Sequence, residues 1–239
     1  MTKLSVNINK IATLRNSRGG IIPDVVKAAV DVQLFGADGV TVHPRPDERH
    51  ITRKDVHNIR PVIKTEFNIE GYPSREFIDL VKSVRPHQVT LVPDPPEAIT
   101  SSSGWDTIAH FSFLQEVISE FKESGIRTSI FIDPVEEMIS KAVETDTDRV
   151  ELYTEPYATG YAKDREKAVA PFVAAANLAN KLGMKVNAGH DLNLENLAYF
   201  NECIPFLKEV SIGHALIADA LYLGLERTVA SYKALLKKN

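Results

Sequence analysis

Eight short apolar, β-branched runs punctuate this chain of 239 residues, and amphipathic stretches lie between them. The runs are Leu4–Ile8, Gly39–Val42, Glu66–Ile69, Gln88–Val92, Arg127–Ile132, Arg149–Tyr153, Lys185–Ala188 and Glu209–Ile212. Alternation of strand and helix patterns builds a parallel sheet, because each crossover needs a helix to return the chain. Helical spacing is clearest in Asp24–Phe35, where Val25, Ala28, Ala29, Val32 and Phe35 share a face. In Ser74–Val84 a capping serine precedes Phe77, Leu80, Val81 and Val84. Further helical patterns span Thr107–Ser124, Asp164–Leu182, Asn193–Cys203 and Ala215–Leu236, with Pro171 expected to kink or divide the second of these.

Eight such units without a shift in composition predict an α/β fold, a single (β/α)8 TIM barrel with additional helices occupying residues 1–239 as one domain. The competing architecture is an open doubly wound sheet. Its dinucleotide-binding form is weakened because the first turn lacks G-x-G-x-x-G. Apolar residues make up 44% of the chain, enough to fill a large core.

A formal net charge of −4 argues against nucleic-acid binding through bulk charge, though not against a local basic pocket. No apolar run approaches the length of a bilayer span, so no membrane association is expected. Cys203 is the single cysteine, which precludes an intramolecular disulfide and a multi-cysteine metal site. Together these features predict a cytoplasmic protein.

In a βα barrel the chemistry sits where the strands end. Strand one offers Asn7 and Asn9, with Arg15 and Arg18 beyond a turn. Strand two offers His43 and then Arg45, Arg49 and His50. Strand three offers Glu70, strand six Glu151, strand seven Asn187 and His190, and strand eight Gly213 and His214. His43 and His190 are candidates for proton transfer because imidazole titrates near neutral pH, and Glu70 for a base or acid set by its burial. One histidine at a strand end is ordinarily structural; three acid/base groups at one barrel mouth read as catalysis. His57, His87 and His110 fall in helices or ahead of strands and read as surface or structural. Lys64 and Lys185 lie toward the opposite face, against a Schiff-base lysine.

Gly213-His214-Ala215 opens the last helix, where free N–H groups bind phosphate, and Gly189-His190-Asp191 would form the facing wall. Arg45, Arg49 and His50, with Arg18 nearby, suggest a second anion site. Two anion sites around one acid/base cluster imply two small phosphorylated substrates, or one substrate with phosphates at both ends. His43, Glu70, His190 and His214 are conceivable metal ligands, but no H-x-H or H-E-x-x-H pairing exists, and no metal or cofactor is expected. A Pro- and Ser-rich segment, Pro93 to Gly104, follows strand four and reads as a binding loop or lid.

Five blocks carry a resemblance to a known family. They are the run from Val6 to Gly19, the run from Gly36 to Arg45, Arg49-His50-Ile51-Thr52, Val186-Asn187-Ala188-Gly189-His190 and Ile212-Gly213-His214-Ala215. Together they resemble the pyridoxine 5'-phosphate synthase family nearly end to end. The resemblance implies a metal-free barrel with additional helices that assembles as a homo-oligomer, an octamer. It also implies a reaction that joins 3-amino-2-oxopropyl phosphate to 1-deoxy-D-xylulose 5-phosphate, giving pyridoxine 5'-phosphate, inorganic phosphate and water. By the same resemblance His43 and Glu70 would accept protons, His190 would donate one, and Glu151 would stabilise charge in a transition state. Asn7, Arg18, Asp191, Gly213 and His214 would hold the amino-ketone phosphate; Asn9, Lys10, Arg45, His50 and Thr100 would hold the deoxyxylulose phosphate. Three positions depart from the family's commonest pattern. Asn9-Lys10 stands where Asp-His is usual, and Asp191 where glycine is usual. An Asp191 carboxylate aimed at the phosphate would repel it; one turned aside would not.

Overall fold

The computed structural model describes residues 1–94 and 103–237. Its eight strands are β1 (Lys3–Asn7), β2 (Gly39–Val42), β3 (Glu66–Gly71), β4 (Gln88–Leu91), β5 (Arg127–Ile132), β6 (Arg149–Leu152), β7 (Lys185–Gly189) and β8 (Leu207–Ile212). All pair in parallel and in sequence order, and β1 closes the barrel on β8 from Lys3 opposite Glu209 to Val6 opposite Ile212. This is the closed (β/α)8 barrel expected from the alternating pattern.

The two faces of the barrel wall differ sharply. Outward positions are apolar: Leu4, Val6, Val40, Val42, Phe67, Ile69, Ile130, Ile132, Val150, Leu152, Val210 and Ile212 belong to one buried cluster with the helices. Each such side chain contributes roughly 1.5–3 kcal/mol by leaving water. Inward positions are largely polar. Hydrogen bonds crossing the lumen between non-adjacent strands show this: Thr90 of β4 donates to Glu151 of β6 (3.4 Å), and Ser211 of β8 donates to Glu70 of β3 (3.3 Å). Lower down, Arg149 of β6 faces Glu209 of β8 at 3.6 Å, and Arg149 Nη1 donates to Asn187 at 3.1 Å. Barrel interiors of this kind are ordinarily filled by Val, Ile and Leu; here the core lies in the annulus between strands and helices.

Among the described residues the helices are α1 (Asn9–Asn16), α2 (Val25–Leu34), α3 (Arg53–Ile59), α4 (Arg75–Val84), α5 (Phe111–Glu123), α6 (Glu136–Val143), α7 (Glu155–Lys181), α8 (Leu197–Cys203), α9 (His214–Leu223) and α10 (Leu225–Leu235). None is long and apolar enough to cross a membrane. Asp24 caps α2 by accepting from the N–H groups of Val26 and Lys27, and Ser74 caps α4 by accepting from Phe77. Several expectations need correction. The long seventh helix breaks at Asp164, which leaves helical geometry (φ −161°, ψ 89°), not at Pro171. The expected helix from Ala215 to Leu236 is two helices, because Gly224 takes φ +80° between them. Asn9 and Lys10 belong to α1, not to a strand end or turn.

Candidate active site

Asn7, the last residue of β1, donates from Nδ2 to Glu70 Oε2 at 3.3 Å, and its Oδ1 accepts from the backbone N–H of Asn9 at 3.1 Å. Asn9 Oδ1 in turn accepts from the N–H of His43 at 2.9 Å. A chain of amide side chains therefore locks the ends of β1, β2 and β3 to one another. Ser211 on β8 donates to the other oxygen of Glu70. Gly213 packs on the same asparagine: a Cβ there would come within 3.1 Å of Asn7 Cβ. Asn7, Asn9, His43, Glu70, Gly213 and His190 are thus brought to one mouth, as the strand-ending pattern predicts.

The protonation of these groups follows from their surroundings. Glu70 is half-buried, and desolvation is the main cause that pushes its pKa from 4.5 up to about 7; the His190 charge and the Ser211 hydrogen bond oppose it, while Asp94 and Glu209 add to it. Burial also holds His43 well below its ordinary value, assisted by the charges of His50, Arg45, His190 and Arg49. His190 moves the other way. Burial lowers it, but its contact with Asp191 and the charges of Asp191, Glu70 and Asp94 outweigh that and raise its pKa. Glu151 lies one layer deeper, 3% exposed, and burial with the charges of Glu70 and Glu209 holds its carboxyl well above the usual range. The mouth therefore presents a histidine shifted toward its neutral form, a histidine shifted toward its charged form, a carboxyl near half-ionisation at neutral pH and, beneath them, a carboxyl shifted toward its protonated form.

On the β2 side, His50 stacks edge-on to His43 with ring centroids 6.0 Å apart. Its Nδ1 accepts from the N–H of Ile51 at 3.0 Å. Burial, with the charges of Lys10, Arg45 and Arg49, lowers His50 to about 4. Arg45 is buried against Asp94, Nη2 to Oδ2 3.1 Å, and Arg49 pairs with Asp47 at 2.7 Å. Both arginines of the expected second anion site thus already face carboxylates. Arg15 is absent from the mouth; it clamps Asp55 through two hydrogen bonds of 2.7 and 2.8 Å and donates to the carbonyl of His50. Lys10 and His214 are exposed, on α1 and at the start of α9. Arg18 is exposed beyond α1, and no described contact ties its side chain to the mouth. Thr100 lies outside the described residues.

Three contributors had escaped the reading of strand ends: Ser211, Thr90 and Asp94. The first two were visible as polar residues between apolar neighbours, Val210-Ser211-Ile212 and Val89-Thr90-Leu91. Among the described residues no cluster of His, Cys, Asp and Glu is arranged to hold a metal ion.

Residues 4–238 match the family model described as "Pyridoxal phosphate biosynthesis protein PdxJ". Among curated relatives, a pyridoxine 5'-phosphate synthase from Bacteroides fragilis strain YCH46 is 68% identical over 237 residues, covering 99% of this chain and 100% of the relative. One from Cytophaga hutchinsonii is 59% identical over 238 residues, covering 100% of each. Among solved structures, 3-keto-L-gulonate-6-phosphate decarboxylase from Vibrio cholerae superposes with a TM-score of 0.67 at 12% identity, covering 98% of this chain and 97% of that one, a likeness of fold.

Proposed function

The chain belongs to the PdxJ family of pyridoxal phosphate biosynthesis proteins, and from that premise we propose which side chains of its barrel mouth move protons and which hold phosphate. Its activity is that of a pyridoxine 5'-phosphate synthase, an enzyme of vitamin B6 biosynthesis that acts on two phosphorylated substrates.

The reaction joins 3-amino-2-oxopropyl phosphate to 1-deoxy-D-xylulose 5-phosphate. Condensing amine with ketone, losing phosphate, closing the ring and dehydrating each require a proton to be taken or given. His43 and Glu70 take protons, His190 gives one, and Glu151 stabilises developing charge from below. The observation that carries this division is the opposed shift of the two histidines: their surroundings push His43 toward its neutral form and His190, beside Asp191, toward its charged form. Glu70 near 7 is matched to accept a proton and return it at neutral pH. Asn7, Arg18, Gly213 and His214 hold the amino-ketone phosphate, supported by the close packing of Gly213 on Asn7 and by the N–H groups that open α9. Asn9, Lys10, Arg45 and His50 hold the deoxyxylulose phosphate. Arg45 then shares its guanidinium between Asp94 and the phosphate.

The whole chain acts as one catalytic domain in the cytoplasm and assembles as a homo-octamer, a reading supported by exposed apolar side chains such as Leu34, Leu221 and Tyr222. The test supplies both substrates without added metal and follows pyridoxine 5'-phosphate. Product is expected from the native protein, and turnover roughly 10²–10⁴ lower in His43→Ala and Glu70→Gln. Folded variants that retain turnover would remove both groups from the mechanism, and loss of activity with a chelator would favour a metal-dependent phosphosugar enzyme.

A further inference from the structure

The turn after β7 is built around one side-chain pair. Gly189 ends the strand so close to β8 that a Cβ would lie 2.1 Å from the carbonyl oxygen of Ser211. His190 then adopts φ +50°, a left-handed conformation that a non-glycine residue rarely takes. The turn closes through the N–H of Leu192 donating to Gly189 at 3.3 Å, and Asn196 Nδ2 donates to the carbonyl of Asp191 at 3.3 Å. In this geometry the Asp191 side chain folds back on its neighbour, Oδ2 lying 2.7 Å from His190 Nδ1.

We propose that Asp191 is a positioning residue for His190 and not a ligand of the substrate phosphate: it holds the hydrogen on Nδ1, so that the proton His190 transfers is the one on Nε2. A carboxylate on one ring nitrogen fixes which nitrogen exchanges protons and stabilises the imidazolium before transfer. The charged and titratable groups facing the ring act in concert. Glu70 from β3 and Asp94 after β4 favour the charged form, as does Asp191 itself. His43 after β2 bears like charge only when protonated, which its burial opposes. The Tyr153 ring after β6 stands edge-on at 6.1 Å. The pair also disposes of the difficulty that an acidic side chain beside a phosphate would raise, because its charge is matched by the imidazolium.

The inference rests on His190 acting as the proton donor, and its test has an arm that needs no turnover. Nitrogen-15 spectra of the substrate-free protein, with the His190 signal assigned by its loss in His190→Gln, are expected to show hydrogen on Nδ1 above the titration of the ring. That population should fall in Asp191→Asn. In turnover, the alkaline limb of kcat should move down by on the order of one pH unit in Asp191→Asn, with KM for both substrates changed less than about threefold, and Asp191→Glu should restore the limb. Hydrogen on Nε2 of the neutral ring in the native protein overturns the proposal, whether or not the variants fold. So does an unmoved limb accompanied by a large rise in KM for the amino-ketone phosphate, which would make Asp191 a substrate contact. Failure of the native protein to form product would refute the functional reading instead, leaving the spectroscopic result to decide the pair.

Discussion

Glu70→Gln should make the protein more stable while disabling it, and the gain should depend on pH. The native fold holds Glu70 at about 7 against an ordinary 4.5, principally by desolvation. A carboxyl raised in the folded state costs nothing below its unfolded pKa. As pH rises from 4.5 through 7, the unfolded chain releases a proton that the folded chain retains, and stability falls; above 7 the loss is complete. The gap between 4.5 and about 7 sets a ceiling of about 3.4 kcal/mol. Glu70 keeps partial contact with solvent, so about 2 kcal/mol is the expected gain at pH 8.5. For a chain of this size that is about 4–8 °C in Tm. Glutamine preserves the local bonds: Asn7 Nδ2 donates to its oxygen, and the Ser211 hydroxyl turns to accept from its amide. Thermal unfolding of both proteins at pH 4.5 and 8.5 is the assay. The melting temperatures should nearly coincide at the lower pH and separate at the higher. A folded variant that is no more stable at pH 8.5, or equally stabilised at both pH values, would refute desolvation as the origin of the raised pKa.

Two further outcomes follow from the same contacts. Ser211→Ala removes a donor to the Glu70 carboxylate, worth about 1 kcal/mol for a bond of this length, so the acid limb of kcat/KM should rise by about 0.7 pH unit. Activity should then drop about fourfold at pH 6.5 and hardly at all at pH 8.5; a loss uniform across pH would contradict the assignment. Arg15→Ala strands Asp55 without its bidentate partner, both side chains being about one-tenth exposed. Denaturant unfolding should show a loss of about 3 kcal/mol, and a loss below 1 kcal/mol would count against the clamp.

The strands were legible because short apolar, β-branched runs stand out between the amphipathic stretches, and their ends fall within one or two residues of the expected positions. Three of the shorter helices, α1, α3 and α6, were not, whereas α8 was. In α1 the only fully buried residue is Ala12, and Ile8 provides no side-chain cap, so neither periodicity nor a start signal marks it. In α3 a capping box is present in Thr52 and Asp55, but Val56 and Ile59 are its only apolar residues, too few to mark a face. The clearest break in α7 came from Asp164, an unremarkable residue in sequence, while Pro171 was accommodated within the helix. At the candidate site, the placement of His43, Glu70 and His190 at one barrel mouth was readable from their positions at strand ends. Their charge was not. It depends on contacts such as Ser211 with Glu70, separated by 141 residues, and Arg45 with Asp94, separated by 49.

The difference between the two faces of the wall explains why the site can exist. Parallel strands covered by helices are usually apolar on both faces. Here the apolar cluster between wall and helices, from Leu4 and Val6 through Val210 and Ile212, supplies the burial that holds the barrel closed. The lumen is thereby released from that duty, and its positions carry Asn68, Thr90, Glu151, Asn187, Arg149 and Glu209 instead. Burying polar groups is costly unless they are bonded, and part of that cost is offset by bonds from layer to layer: Arg149 joins Asn187 and faces Glu209, while Thr90 joins Asn68 to Glu151, although Asn68 Nδ2, Arg149 Nε and Asn187 Nδ2 are left without partners. Glu209, well down the lumen, contributes to raising both Glu151 and Glu70. The carboxyl at the mouth is therefore tuned in part by charges deep in the barrel. A substitution such as Glu209→Gln, remote from any substrate, should lower the pKa of Glu70 and move the acid limb of kcat/KM downward, and an unmoved limb would show that the lumen is structurally polar but electrostatically silent at the site.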